Sequence, residues 1–369
     1  MLCSSESVLK APITVQLPIR PHFVQSTNER GKIMVTVGII GAGRIGKVHV
    51  QSITNNVPGA KIKTLADPFM NDETAAWAKR MGIQNVTKDY KEIINDPEIQ
   101  AVLICSSTDT HAPISIEAIN AGKHVFCEKP IDHDVNKIHE VIDALKGKNL
   151  KYQVGFNRRF DHNFKAVQAA VAAGKVGDPQ IIKITSRDPE PPSPAYVAVS
   201  GGMFMDMTIH DFDMARFLAG CDAEEIYVQS AVLVDPEIGK AGDVDTAVIT
   251  IKMKNGALVV IDNCRKSVYG YDQRAEVFGS KGMVANANDS QSNVVLSNEQ
   301  GVTGEKPLFF FLERYMQAYS DEIKAFIDAV ENDTDTVVGI DDGLKPVLMA
   351  MAANLSVKEH RPVKLSEVE

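Results

Sequence analysis

A chain of 369 residues with 44% hydrophobic and 24% charged residues has ample apolar material for more than one core. Single cores stop growing at roughly 250 to 300 residues, so two domains are expected. The formal net charge of -9 is spread without long runs of either sign, which excludes the basic footprint of a nucleic-acid binder and the basic stripe of a membrane-surface helix. No window approaches the roughly 20 consecutive apolar residues of a bilayer span, and a soluble protein is expected.

Residues 1–33 scatter Ser, Pro and Thr among few charges, and periodic patterning starts only at Met34. This stretch reads as an appendage. It is either a disordered tail or, because Lys10, Arg20, Arg30 and Lys32 outnumber Glu6 and Glu29, an organelle presequence. Cys3, Cys105, Cys127, Cys221 and Cys264 lie far apart, with no C-x-x-C pair and no His cluster at zinc-ligand spacing. Free thiols in a reducing, cytoplasmic compartment and no metal site are therefore expected.

Residues 34–40 form a short apolar, β-branched run that leads into Gly41-Ala-Gly43-Arg44-Ile45-Gly46 and a helical stretch over 45–53. In a strand-turn-helix fingerprint of this kind the first glycine permits the turn, the second lets the backbone approach a pyrophosphate, and the third allows close helix-on-strand packing. Gly41, Gly43, Arg44, Ile45 and Gly46 are thus candidate dinucleotide ligands. A second strand, 61–66, ends in Asp67, 21 residues after Gly46. A carboxylate at that point accepts hydrogen bonds from the adenosine ribose and repels a 2′-phosphate, which predicts NAD over NADP. The alternative is an Asp that caps the turn before Pro68.

A helix over 72–81, a strand over 85–87, a helix over 88–94 and a buried strand over 101–105 continue the alternation. It implies a parallel sheet with right-handed crossovers and a ligand site beyond the carboxyl ends of the strands. Ser106, Thr108 and His111 fall there, as lining for the nicotinamide ribose or as the loop and N-cap of a helix starting near Ala112. A strand over 124–127 runs into Glu128-Lys129-Pro130, and one over 152–155 completes the sheet. Glu128 and Lys129 thereby reach the cofactor-facing edge.

Beyond Phe156 a helix over 160–173 precedes strands near 180–185, 225–233, 246–253 and 258–262. The fold class is α/β: a Rossmann dinucleotide-binding domain (34–155) followed by an α+β substrate and oligomerisation domain (156–369) with a mostly antiparallel sheet. The active site is expected between the two. Residues 201–217 are periodic as a helix, with Met207, Met214 and Phe217 as a buried stripe and Asp206 and His210 four apart on one face. A carboxylate one turn from an imidazole can orient the ring as a general base for an alcohol. A solvated ion pair or a helix cap is the alternative. Lys129, Asp206 and His210 form the candidate catalytic set.

Gly41 to Gly46, Cys127-Glu128-Lys129-Pro130 and Asp206-x-x-x-His210 together make residues 34–361 resemble the glucose-fructose oxidoreductase and inositol dehydrogenase (Gfo/Idh/MocA) family. The resemblance implies a catalytic Lys129 positioned by a cis peptide bond before Pro130. Gly155-Phe-Asn157-Arg158-Arg-Phe-Asp161, Ser186-Arg-Asp188-Pro189, residues 201–217 and Tyr269-Gly-Tyr271-Asp-Gln273 look like the inositol 2-dehydrogenases of that family, which oxidise myo-inositol to 2-keto-myo-inositol with NAD. That likeness implies His210 as base, Asp206 as its orienting partner and a substrate ligand, and Lys129 as donor to the same oxygen. It also implies polyol contacts at Asn157, Arg158, Asp188, Tyr271 and Tyr319, although Arg158 fits a structural ion pair equally. A homotetramer built through the C-terminal sheet is implied as well. Similar enzymes act on scyllo-inositol or aldoses with the same three residues, and some members bind nucleotide without turnover.

Overall fold

The computed structural model describes residues 34–369, so the appendage expected over 1–33, with Cys3, lies outside the described residues. The first layer is a six-stranded parallel sheet of β1 (Val35–Ile40), β2 (Ala60–Ala66), β3 (Asn85–Thr87), β4 (Ala101–Ile104), β5 (His124–Cys127) and β6 (Tyr152–Val154), ordered β3-β2-β1-β4-β5-β6. Every residue of β1 and β4 is buried, as continuous apolar runs should be when helices cover both faces. Those helices are α1 (Arg44–Asn56), α2 (Asp72–Arg80), α3 (Lys91–Asn95), α4 (Thr108–Asn120) and α5 (Val135–Leu145). The last of them was not anticipated from the pattern. α4 starts four residues before the expected point, because Ser107 takes the extended N-cap conformation. Thr108 and His111 therefore ride on a helix.

Residues Asn157–Phe160 form a single 3-10 turn before α6 (His162–Ala172), α7 (Pro194–Ser200), α8 (Gly202–Asp206), α9 (Ile209–Ala219) and α10 (Pro236–Lys240). The segment 201–217 is thus two helices broken at Met207 and Thr208, not one. Thr208 is held at the break by its hydroxyl, which donates to Asn263 Oδ1 at 2.6 Å. Met207 and Met214 are buried as expected, but Phe217 is half-buried, with the Arg159 guanidinium 5.1 Å from its ring centre.

The second sheet holds β7 (Pro179–Arg187), β8 (Ala223–Ala231), β9 (Thr246–Met253), β10 (Leu258–Cys264), β11 (Asp272–Gly279) and β12 (Gly282–Ala285). A separate hairpin of β13 (Val295–Asn298) and β14 (Gly301–Gly304) and a short edge strand β15 (Val363–Lys364) complete the set. The order is β12-β11-β7-β10-β9-β8-β15, and only the β7–β10 pairing is parallel. β8 ends at Ala231 instead of running on to 233 because the N–H groups of Leu233, Val234 and Asp235 turn onto the Asp245 carboxylate. β9 alternates buried and exposed residues, the signature of a sheet with one covered face.

The chain finishes with α11 (Phe311–Arg314), α12 (Met316–Asn332) and α13 (Ile340–Glu359). Ile323, Phe326 and Ile327 of α12 share one core with Val37, Ile39, Leu65 and Phe126 of the first sheet. A single cut at 155/156 therefore separates the first sheet from a helix that completes its packing. Among the described residues Cys105, Cys127, Cys221 and Cys264 are unpaired, as expected, and no helix is long and apolar enough to cross a membrane.

Candidate active site

The glycine turn is shaped by contact. Gly41 has φ 103°, and a Cβ there would lie 2.5 Å from the Cys105 carbonyl; a Cβ on Gly46 would lie 2.0 Å from the Gly41 oxygen. Gly43, by contrast, has nothing within 4 Å of its Cβ position. The N-terminus of α1 just beyond it carries no side-chain cap and no acidic residue in its first turn. Open amides at a helix N-terminus fit a diphosphate. Asp67 does two things at once: Oδ2 accepts from the Ala42 N–H at 2.6 Å and braces the turn, while Oδ1 accepts from Phe69 N–H at 2.8 Å and caps its own.

Of the three residues expected along the nicotinamide ribose, His111 is withdrawn from any ligand. Its ring is buried, with Nδ1 2.8 Å from the Pro130 carbonyl and Nε2 3.1 Å from the Ser106 carbonyl. Two carbonyl acceptors require both ring N–H groups. Burial opposes that charge, but the Cys127 sulfur and the two carbonyls outweigh it and push the pKa up to about 9. His111 thus staples the turn after β4 to the turn after β5. Ser106 pairs with Thr110 through their hydroxyls at 2.6 Å.

A cavity of about 510 Å³ opens between the carboxyl ends of the first sheet and the second domain. Arg44, Ile45, Glu128 and Lys129 line it from the first side; Asn157, Arg158, Asp188, Asp206, His210, Tyr271 and Tyr319 line it from the other. All three candidate catalytic residues and all five candidate polyol contacts therefore share one space. Lys129, whose bond to Pro130 is cis, donates from Nζ to the Asp206 carbonyl at 2.9 Å and lies 3.8 Å from its carboxylate. Glu128 is fixed beside it by His49, whose Nε2 is 2.6 Å from Oε1, and by the Lys129 N–H at 3.3 Å from Oε2.

The expected hydrogen bond from Asp206 to His210 is not formed. The helix break turns the Asp206 carboxylate to Tyr196, whose hydroxyl donates to Oδ1 at 2.9 Å, and to Arg265, 3.1 Å from Oδ2. Burial works to raise the Asp206 carboxyl, but the Lys129 and Arg265 cations win and hold it below the usual carboxylate range. His210 Nδ1 is buried and has no hydrogen-bond partner among the described residues. Burial, with the nearby Lys129 and Arg158 cations, drives the imidazole well below its ordinary pKa and keeps it neutral. A neutral imidazole can accept a proton.

Asp188 is 3.4 Å from Arg265. Burial raises its pKa to about 6, Arg265 only partly opposing it and the Asp206 charge adding to it. Arg158 forms a buried ion pair, its Nη1 2.6 Å from Asp211 Oδ1, and also lines the cavity. Tyr271 is wedged edge-on between Phe310 and Tyr315.

Arg265 and Tyr196, which line the cavity and hold the Asp206 carboxylate, are residues that the sequence pattern did not reveal. Arg265 follows β10, whose parallel pairing with β7 brings Asp188 alongside, the Asp188 N–H donating to the Cys264 carbonyl at 3.0 Å. Only that pairing signals its role.

An open α/β sheet with an uncapped glycine turn, meeting a cavity that gathers a lysine, a neutral imidazole and paired carboxylates, defines a dinucleotide-dependent oxidoreductase. Residues 35–156 match the oxidoreductase family with an NAD-binding Rossmann fold, and residues 164–285 match the Gfo/Idh/MocA C-terminal domain. The chain is 47% identical over 332 residues to the myo-inositol 2-dehydrogenase of Thermotoga maritima, covering 90% of this chain and 99% of that one. It is 42% identical over 332 residues to the inositol 2-dehydrogenase of Rhizobium meliloti, again covering 90% and 99%. The crystal structure of scyllo-inositol dehydrogenase from Lactobacillus casei, with NAD(H) and scyllo-inositol bound, matches with a TM-score of 0.83 at 30% identity, over 90% of this chain and 99% of that one. The protein belongs to the Gfo/Idh/MocA family and is an NAD-dependent oxidoreductase.

Proposed function

We propose that the protein is an inositol 2-dehydrogenase that oxidises myo-inositol to 2-keto-myo-inositol. The observation that carries this reading is the convergence of Lys129, Asp206 and His210 in one cavity, beside relatives named for inositol oxidation. NAD, when bound, would supply the hydride acceptor, with its diphosphate at the open Gly43 end of α1, in the turn that Gly41 and Gly46 shape, and its adenosine ribose at Asp67. His210, held neutral, takes the proton of the reacting hydroxyl. The Lys129 ammonium steadies the oxyanion that forms, and Asp206, aligned by Arg265 and Tyr196, binds a hydroxyl of the ring. Asn157, Arg158, Asp188, Tyr271 and Tyr319 supply the remaining polyol contacts. The intact Lys129 and His210 favour turnover over a purely NAD-sensing role.

We extend the proposal to a homotetramer in the reducing cytoplasm, supported by apolar Val248, Leu258, Phe278 and Met283 exposed on the second sheet and by the four unpaired cysteines among the described residues. The deciding assay is NADH formation from myo-inositol, scyllo-inositol and glucose, compared by kcat/KM; preference for glucose removes the inositol assignment. Lys129→Ala and His210→Ala are each expected to lower kcat by about 10²- to 10⁴-fold while NAD still binds. Near wild-type rates in both variants would refute the assigned roles.

A further inference from the structure

Behind the cavity wall three titratable side chains from three elements meet: His49 on α1, Glu128 after β5 and Glu322 on α12. One ligand-type atom of each lies within 4.8 Å of the other two. The Glu322 side chain is fully buried, and neither of its carboxyl oxygens has a hydrogen-bond partner among the described residues. Gln153 reaches only its main-chain carbonyl, at 2.8 Å. The other titratable groups that act on it or feel its charge are Cys105 after β4 and Tyr319 one turn earlier on α12. Apart from His49 none of these can be a cation, and Arg158, which acts on Tyr319, is committed to Asp211.

His49 Nε2 and Glu128 Oε1 touch directly at 2.6 Å, which leaves no room for a metal ion between them. The cluster is built for a proton. Two ionised carboxylates this close in an apolar enclosure repel each other without water to screen them, so one must stay neutral. Glu128 accepts from the Lys129 N–H, has the His49 ring nitrogen 2.6 Å away as a polar partner and opens onto the cavity, so of the two carboxyls it is the one placed to carry charge. Glu322 has no donor and no opening.

We propose that Glu322 is a neutral carboxylic acid at neutral pH, and that its proton keeps Glu128 the single anion of the cluster and so holds the Glu128–Lys129 turn in place. Glu322 is in this sense a positioning residue, and its part in turnover rests on the reading of Lys129 as a catalytic group. Burial, reinforced by the Glu128 charge, pushes the Glu322 carboxyl well above the usual range.

The test compares the full-length wild type with Glu322→Gln, which keeps the shape and cannot ionise. Glu322→Met serves as a second non-ionising variant should the amide fail to fold. Below about pH 4.3 both folded and unfolded wild type hold the proton; above it only the folded state does. The folding constant of the wild type divided by that of the variant is therefore expected to fall about tenfold per pH unit, until the native carboxyl itself ionises. In the region where the ratio levels off, the wild-type kcat/KM declines, and this limb moves up by about one pH unit or more in Glu322→Gln. A stability ratio that is flat with pH overturns the neutral acid. Activity profiles that superimpose from about pH 5 to 10 overturn the positioning role. Because the stability ratio involves no turnover, it stands or falls separately from the loss of activity in Lys129→Ala.

Discussion

The glycine turn separates two functions that a sequence motif runs together, and two alanine substitutions should pull them apart. At Gly46 the added carbon would lie 2.0 Å from the Gly41 oxygen and 2.9 Å from its carbonyl carbon. A relaxed carbon-to-oxygen contact is about 3.3 Å, so one backbone must move by about 1.3 Å. Gly41 has nowhere to retreat, since its own Cβ position already faces the Cys105 carbonyl carbon and oxygen at 2.5 Å. Overpacking of this kind costs about 1–3 kcal/mol, and with backbone on both sides the upper end applies. At Gly43 the same carbon meets nothing within 4 Å, and φ is -68°, which alanine accepts readily. The cost to the fold is then about 1 kcal/mol or less, the loss from placing alanine at an N-cap. Yet the space it fills is the one proposed for the diphosphate at the start of α1. Gly46→Ala should lower the thermal midpoint of the NAD-free protein clearly; Gly43→Ala should hardly move it, but should weaken NAD binding by at least about tenfold and cut the stabilisation by saturating NAD by about 1.4 kcal/mol or more. Tight NAD binding by Gly43→Ala, or an unaltered melting curve for Gly46→Ala, would refute the assignment of the open and the filled positions.

Two further outcomes follow from the same geometry. Asp67→Ser removes the 2.6 Å acceptor of Ala42 together with a negative charge, and the kcat/KM ratio for NAD over NADP should fall by about tenfold or more; an unchanged ratio would tell against Asp67 as the selector. Asp188 has a folded-state pKa of about 6 against 3.8 for the free side chain, so the folded protein takes up a proton as pH falls from about 6 to about 4. Its stability is therefore lost as pH rises through that window, by about 3 kcal/mol at most, and Asp188→Asn should abolish this loss; unfolding midpoints that keep a constant wild-type-to-variant difference from about pH 4 to 7 would contradict it.

What was legible in the sequence lay close together along the chain. β1, the glycine turn and α1 form one uninterrupted stretch, so hydrophobic period and glycine spacing were enough to expect them. Lys129 was legible for the same reason, since it directly follows a buried strand. The pairing of Asp206 with His210 failed because helical spacing says which residues can share a face, and the break at Met207 and Thr208 ends that face. Arg265 and Tyr196, which actually hold the Asp206 carboxylate, are 59 and 10 residues away from it. Neither carries a local signature, and strand pairing alone brings Arg265 within reach. His111 looked like a ligand because small polar residues after a strand end usually face the cofactor, whereas two main-chain carbonyls claim it first.

The return of α12 to the first sheet bears on how the polypeptide is made. Ile323, Phe326 and Ile327 emerge from the ribosome long after β1 to β6, yet they occupy the same core as Phe126 and Leu65. Until translation passes Asn332 the nascent cofactor domain has one apolar flank uncovered, and a truncated product ending at residue 155 would keep it so, a hazard for aggregation rather than a miniature binding module.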